Sequence, residues 1–234
     1  MPERISIIIP TYNEADNIER LVRHLLKAVP APEVIVSDGG STDATQLLAK
    51  EAGASVVQSS LKGRAPQMNA GAKAATGSIL YFLHADTFPP ADYQATILEN
   101  CTPASGAGCF RLQFDDAHWF LSVNAWFTRF DVDSIRFGDQ SLYIRRHYFE
   151  QIGGFRNDYV LLEDQEIISR IRKCTGFRVL SKAVTTSAQK YRENGIYRLQ
   201  LIFSFIWFLY YLGLPQQKLV HIYNTLIRKS KLKD

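Results

Sequence analysis

Acids stand in this sequence where apolar runs give way to turns: Asp38 in VIVSDGGSTD, Asp86 in SILYFLHADT, and Glu163 with Asp164 in LLEDQE. A carboxylate so placed can accept a hydrogen bond, ligate a hard cation or take a proton. At Asp38 the next two residues are Gly39 and Gly40, which allow a sharp backbone turn and leave room for a flat ring, while the acid accepts from a base or ribose edge. The competing reading is an ordinary Asp-Gly-Gly turn with Asp43 as a helix cap. The GxGxxG fingerprint is absent, which weakens a nicotinamide dinucleotide site.

Those acids need elements to hold them. Residues 5–9 are an Ile-rich run suited to a strand buried on both faces, and Asn13 is placed to cap a helix carrying Ile18, Leu21, Val22, Leu25 and Leu26 at helical spacing. Val34–Val36 read as a second strand, Thr42 or Asp43 as the opening of a second helix through Leu47 and Leu48, and Ser55–Gln58 as a third strand after Gly53. A helix from Pro66 to Ala75 and the strand SILYFL follow. This alternation implies right-handed crossovers and a mostly parallel central sheet flanked by helices, an α/β fold over at least the first half. Every acid or glycine cluster in that half then lies beyond a strand's carboxyl end, where open sheets bind ligands.

The second half is less regular. AGCFRLQF and SLYIRR read as strands, HWFLSVNAWFTRF as an aromatic amphipathic helix, and residues 163–174 as a helix with Ile167, Ile168 and Ile171 inward. Residues 196–214 are the most apolar stretch, but Arg198 and Gln200 interrupt it and Pro215 ends it, leaving roughly 14 clean residues where a spanning helix needs about 20. A core or dimer-interface helix is preferred to an in-plane membrane anchor.

Composition bounds the rest. The chain has 234 residues, enough for one good-sized core. A single domain is expected, in three stretches: residues 1–100, residues 101–190 and, as C-terminal helices, residues 191–234. Twenty-seven basic residues against 23 acidic give a charge of +4, with one polybasic run, RKSKLK, at the end, so nucleic acid is not an expected partner. Cys101, Cys109 and Cys174 form no CxxC pair and are odd in number, which points to a reducing compartment and a cytoplasmic protein. The amino terminus lacks the length and cleavage site of a signal peptide.

Five stretches in collinear order, SIIIPTYNEADNI, VIVSDGGSTDAT, GRAPQMNAGAKAATGSILYFLHADT, FGDQSLYIRR, and GGF followed by LLEDQEIISRI, resemble the family 2 glycosyltransferases of GT-A fold. The likeness spans residues 4–180 and is greatest to a small bacterial branch that reads HAD where most members read DxD.

The resemblance implies roles by position. The turn after strand one, Pro10 to Glu14 with Tyr12 within it, and Asp38 with Gly40 would hold a uracil or guanine and its ribose. Arg64, beside Lys62 at a helix start, would clamp the diphosphate, with Asn69 in the same segment; the competing reading of Lys62 and Arg64 is a solvated basic loop. His84, Ala85 and Asp86 would form the diphosphate and metal corner, with Asp86 and His84 as ligands of Mg²⁺ or Mn²⁺. Histidine suits Mg²⁺ poorly, so His84 is equally read as a hydrogen-bonded strand-end residue. Asp139 and Gln140 would lie near the donor or acceptor sugar, or else form a turn before a strand. Asp164, paired with Glu163, would be the catalytic base; the competing reading makes EDQE a set of acids complementing a helix dipole. After Gly176 the pattern fails, with Lys190, Tyr191 and Arg192 as weak stand-ins for the family's closing motif, and the QxxRW of processive synthases is absent.

The activity implied is inverting transfer of one sugar from a UDP- or GDP-sugar to an acceptor hydroxyl, a lipid-linked molecule being among the acceptors it allows. Peripheral contact with the inner face of a membrane, and a homodimer through the C-terminal helices, accompany that reading. A nucleotidylyltransferase and a non-catalytic nucleotide-sugar-binding protein are the alternatives. The former expects a glycine-rich basic loop where PTYNEAD stands.

Overall fold

A computed structural model describes residues 3–132 and 138–228. Strands β1 (Ile5–Thr11), β2 (Glu33–Asp38), β3 (Ser55–Gln58) and β4 (Ile79–Phe82) alternate with helices α1 (Ala15–Leu25), α2 (Thr45–Glu51) and α3 (Arg64–Ala74). There follow β5 (Thr87–Phe88), α4 (Tyr93–Asn100), β6 (Ala107–Phe114), α5 (Trp119–Phe127), a 3₁₀ turn (Gly138–Gln140) and β7 (Leu142–Arg145). The chain continues with α6 (Arg146–Gln151), α7 (Glu163–Ile171), β8 (Phe177–Thr186), α8 (Gln189–Asn194), α9 (Ile196–Tyr211) and α10 (Gln216–Leu226).

The strands form one sheet in the order β3-β2-β1-β4-β7-β6-β8-β5. The first four are mutually parallel, as the alternation predicts. Beyond them the sheet is mixed: β7 runs antiparallel to both β4 and β6, β6 is parallel to β8, and β5 is antiparallel to β8. The expectation of a mostly parallel sheet holds, with four of the seven strand pairs parallel and every antiparallel pair involving β5 or β7. A parallel pair needs a long crossover, and the second-half strands do not follow that rhythm.

Alternation along β1 explains its continuous apolar run. Ile5, Ile7 and Ile9 pack with Ile18, Leu21, Val22 and Leu25 of α1, while Ile8 points to the other face, against Met68 and Ala72 of α3 and Ile167, Ile168 and Ile171 of α7. Both faces are covered, so every second residue need not be polar. Truncating Ile8 to Ala would cost about 2–5 kcal/mol.

Two helix starts differ from the sequence reading. Asn13 does not cap α1: it takes a left-handed φ of 53° and its Oδ1 accepts from Thr42 N at 2.9 Å. The first turn of α1 is capped from outside, by Asp43 Oδ2 accepting from Ala15 N at 3.1 Å. The same acid accepts through Oδ1 from Thr45 N, so α2 begins at Thr45 rather than at Thr42 or Asp43. One carboxylate thus joins the starts of both helices, a contact between turns that single-helix capping rules do not contain.

Candidate active site

The carboxyl ends of β2, β1 and β4 lie side by side along one edge of the sheet, in the order Asp38, then Thr11 to Glu14, then Leu83 to Asp86. At the first of these ends Asp38 is fully buried. Its Oδ1 accepts from Gly40 N, Ser41 N (both 2.9 Å) and Gln46 Nε2 (2.8 Å), and its Oδ2 from Thr11 Oγ1 (3.2 Å) and Ser41 Oγ (2.5 Å). The carboxylate is thereby the organiser of its own turn, which needs Gly40 at a φ of +94°. Beneath it the buried Gln67 amide donates to the carbonyls of Thr11 and Ser37, tying the ends of β1 and β2 together. Pro10 is buried in β1 opposite Ser37, and Tyr12 is half-buried with Lys62 Nζ 5.6 Å from its ring centre.

The second group of residues gathers around the end of β4. Arg64, at the start of α3, donates from Nη1 to Glu163 Oε1 at 3.2 Å, across 99 residues of sequence. Glu163 is almost wholly buried while the Arg64 side chain stays 44% exposed, so one side of the guanidinium is anchored and the other faces outward. His84 Nδ1 lies 3.1 Å from Asp139 Oδ1, which accepts. Ala85 is buried. Asp86 leads into β5, whose Thr87 hydroxyl bonds that of Thr186 at the end of β8. Asp164 is in the first turn of α7, immediately after Glu163, and Leu162 before them holds a left-handed φ of 61°.

These groups sense one another. Burial, with the Glu163 charge next in effect, pushes Asp164 up to about 7, in the range of a general base that works at neutral pH. Burial also raises Asp86, reinforced by Asp139 and Glu14. For His84 burial works to lower the value, but the hydrogen bond and charge of Asp139 win and the net shift is upward. Burial acts to raise Asp139, yet His84 and Arg64 hold it below the usual carboxylate range. Glu163 drives Arg64 further toward its charged form. Asp86, Asp139 and Asp164 therefore share one electrostatic site with His84 and Arg64.

Other predicted residues have structural duties. Asn69 Oδ1 accepts from Phe155 N at 2.9 Å and its Nδ2 donates to Phe155 O at 2.8 Å, clamping the GGF turn onto α3. A Cβ on Gly154, which has a φ of +69°, would come 2.7 Å from Asn69 Oδ1, so the clamp requires glycine there. Gln140 is buried and donates to Phe110 O at 3.1 Å. Phe137 of FGDQ lies outside the described residues, as does the terminal run after Arg228. Arg192 pairs with Asp115 and Asp116. Lys190 acts on Asp139, and Tyr223, buried in α10, on Arg64. Gln67 lies within GRAPQMNAGAK, but its role rests on the ends of β1 and β2 that it ties together, and Tyr223 lies in no recognisable motif, so the sequence alone names neither.

Among the described residues no three His, Cys, Asp or Glu side chains stand close enough to hold a metal ion on their own. A hard divalent cation takes one or two carboxylates and completes its shell with phosphate oxygens and water, and Asp86, at a strand end, fits that donor set. His84 fits only as a neutral ring: the Asp139 bond to Nδ1 leaves Nε2 for a metal, but its pKa is raised, and a protonated imidazole has no lone pair to give.

The chain is similar to known proteins. The chain is 30% identical over 113 residues to the glycosyltransferase AglE of Haloferax volcanii, an alignment covering 44% of this chain and 36% of that relative. The mannosyltransferase PcManGT from Pyrobaculum calidifontis, solved with GDP-Man and Mn²⁺, superposes with a TM-score of 0.70 at 21% identity, over 97% of this chain and 70% of that one. TarS from S. aureus, solved with UDP-GlcNAc, gives a TM-score of 0.62 at 19% identity, over 79% and 58%. At such identities these two structures speak for the fold. The family model of glycosyl transferase family 2 matches residues 6–178, most of the chain including His84, Asp86, Asp139 and Asp164, and the protein belongs to that family.

Proposed function

We propose that the protein transfers one sugar, with inversion, from a nucleoside diphosphate sugar to an acceptor hydroxyl, and that Asp164 is the base. The observation that carries this is the Asp164 carboxyl, tuned by burial and Glu163 to about 7 beside Arg64, His84 and Asp139, the last two of which also act on Asp86. Asp164 takes the proton of the acceptor hydroxyl as its oxygen attacks the anomeric carbon, and the bond from that carbon to the diphosphate oxygen breaks on the opposite face. One base on one face and one leaving group on the other make an in-line displacement that inverts the centre.

The departing nucleoside diphosphate gains negative charge, and positive groups facing it lower the barrier. Arg64 serves there with its exposed side, while Glu163 fixes its other side and tunes Asp164. His84, whose pKa Asp139 raises, adds a second positive group when it is protonated. Asp86 would hold Mg²⁺ or Mn²⁺ shared with the diphosphate, the ion supplying charge neutralisation and orientation. Tyr12, Glu14 and the turn built by Asp38 and Gly40 receive the base and ribose, with Asp38 shaping the pocket from beneath. The donor is a UDP- or GDP-sugar, in keeping with the GDP-Man and UDP-GlcNAc named for PcManGT and TarS. The acceptor is a hydroxyl on a lipid-linked molecule, reached through peripheral membrane contact; no described helix is long and apolar enough to cross a bilayer.

The test is a thermal-shift series with UDP, GDP and NAD, with and without Mn²⁺, since only a ligand preferring the folded state raises the melting point. A UDP or GDP shift well above that of NAD is expected; an equal or larger NAD shift sinks the proposal.

A further inference from the structure

We infer that the adjoining outer faces of α5 and α9 form a docking surface for an anionic lipid bilayer. This gives a surface to the membrane contact proposed above and rests on that reading. On α5 and the turn after it, Trp119, Val123, Trp126 and Phe130 recur at intervals of three and four residues and are all exposed. On α9 the same interval is kept by Tyr197, Leu201, Phe205, Phe208 and Leu212, with Leu201 71% exposed. The opposite side of α9 is spent on its own cluster, where Leu199, Ile202 and Ile206 meet Leu219 and Tyr223 of α10. The two outward stripes are neighbours: Asn124 of α5 donates to Gln200 of α9 at 3.2 Å, and the Tyr197 ring centre lies 5.0 Å from that of Phe120. An apolar surface of this extent marks an interaction site rather than scattered exposure.

Charge selects the occupant. Residues 117–130 and 194–228 contain no Asp or Glu, and their charged residues are Arg129, Arg198, Lys218 and Arg228. Arg129 stacks 4.5 Å over Trp126 within the first stripe, and Arg198 lines a groove with Leu201 and Phe205 in the second. The acids flanking α5 are engaged elsewhere, Asp115 and Asp116 by Arg192 and Asp131 by Arg172. Among the described residues, a second copy placed against this face would bring the same cations, while its flanking acids Asp115, Asp116 and Asp131 are already paired. A bilayer with anionic headgroups offers acyl chains to the aromatic stripes and negative charge to the arginines. The α9 helix, 16 residues long, is too short to span and suits an in-plane position. Leu161 and Leu162, next to Glu163, pack against the opposite, buried side of α9, so that one helix lies between the docked face and the loop that carries the base.

Co-sedimentation of the full chain with vesicles tests this. The protein is expected to pellet with vesicles of phosphatidylcholine and phosphatidylglycerol in equal parts, weakly with phosphatidylcholine alone, and less as salt rises. Trp126→Glu combined with Phe205→Glu is expected to lower the partition coefficient by about tenfold or more. The milder pair Trp126→Ser and Phe205→Ser lowers it in the same direction and guards against misfolding. Each variant's melting shift with UDP or GDP is read in parallel: a retained shift shows an intact fold, and the loss of that shift in the wild type would sink the donor reading while vesicle binding still supports docking. Wild type that stays in the supernatant with anionic vesicles, variants that pellet as well as wild type, or a dimer in sedimentation velocity that the same substitutions split, would each overturn the inference.

Discussion

The side-chain amide of Gln216, at the start of α10, closes on Leu161 from both sides: its Oε1 accepts from Leu161 N at 3.1 Å and its Nε2 donates to Leu161 O at 3.0 Å. The same Oε1 accepts from Val160 N at 3.3 Å. Two residues later come Glu163 and Asp164, so a C-terminal helix far from any motif holds the backbone from which the proposed base projects.

Gln216→Ala should therefore lower kcat several-fold with a smaller change in KM for the donor, because the loop loses its registration while the nucleotide turn is untouched. Lost hydrogen bonds to a part-buried backbone should also cost about 1–2 kcal/mol of stability. Steady-state kinetics and a melting curve decide it; a change in KM alone would show that the clamp serves binding instead.

Asp164→Asn should reduce turnover by about 10²–10⁴-fold, the range that general-base catalysis contributes, since the amide keeps the shape but cannot take a proton. Its melting shift with UDP or GDP should stay close to that of wild type. Near-normal turnover would remove Asp164 from the role.

The pH dependence follows from the same acid. Its value of about 7 when folded lies above the ordinary 3.8, so between those limits the folded state holds a proton that the unfolded state has lost. Protonation of Asp164 thus favours the folded state at low pH, and that stabilisation is lost as pH rises to about 7. The melting temperature of wild type relative to Asp164→Asn should fall from pH 5 to pH 8, while kcat/KM rises over the upper part of that window as the base ionises. A parallel pair of melting profiles would contradict the raised value.

Burial acts to lower the His84 pKa, but the hydrogen bond and charge of Asp139 raise it on balance. Asp139→Asn should lower the His84 titration midpoint, observed by NMR of the imidazole C–H protons. A folded pKa above the unfolded one contributes stability that is complete below the unfolded value and lost as pH rises through the folded one. The variant should lose that contribution first in the weakly acidic range.

Because no three candidate ligands among the described residues converge on one point, Mn²⁺ alone should shift the melting point little. Mn²⁺ with UDP or GDP should shift it more than the sum of the two, since diphosphate oxygens complete the shell. Asp86→Asn should abolish the surplus. A large shift with Mn²⁺ alone would mean a complete protein site.

Short-range pattern along the chain fixes one part of this protein. Ile5 to Ile9 can only be a strand covered on both faces, the apolar spacing of α1 leaves one buried side, and each strand of the first half ends on a turn residue. The strand-end position of Asp38 and Asp86 follows from those local rules. The tertiary structure alone decided which groups share a charge environment. Glu163 meets Arg64 from 99 positions away, and His84 meets Asp139 across the β4–β7 pair. It also decided that β8, whose residues after Gly176 carry no motif, runs beside β6 and carries β5 with Asp86 at its far end. A carboxylate's partners depend on strand order and register, which arise from packing between segments distant in the chain. The same reason hides the filled hydrogen-bonding shell of Asp38: its donors come from β1, its own turn and α2, which the fold brings within reach.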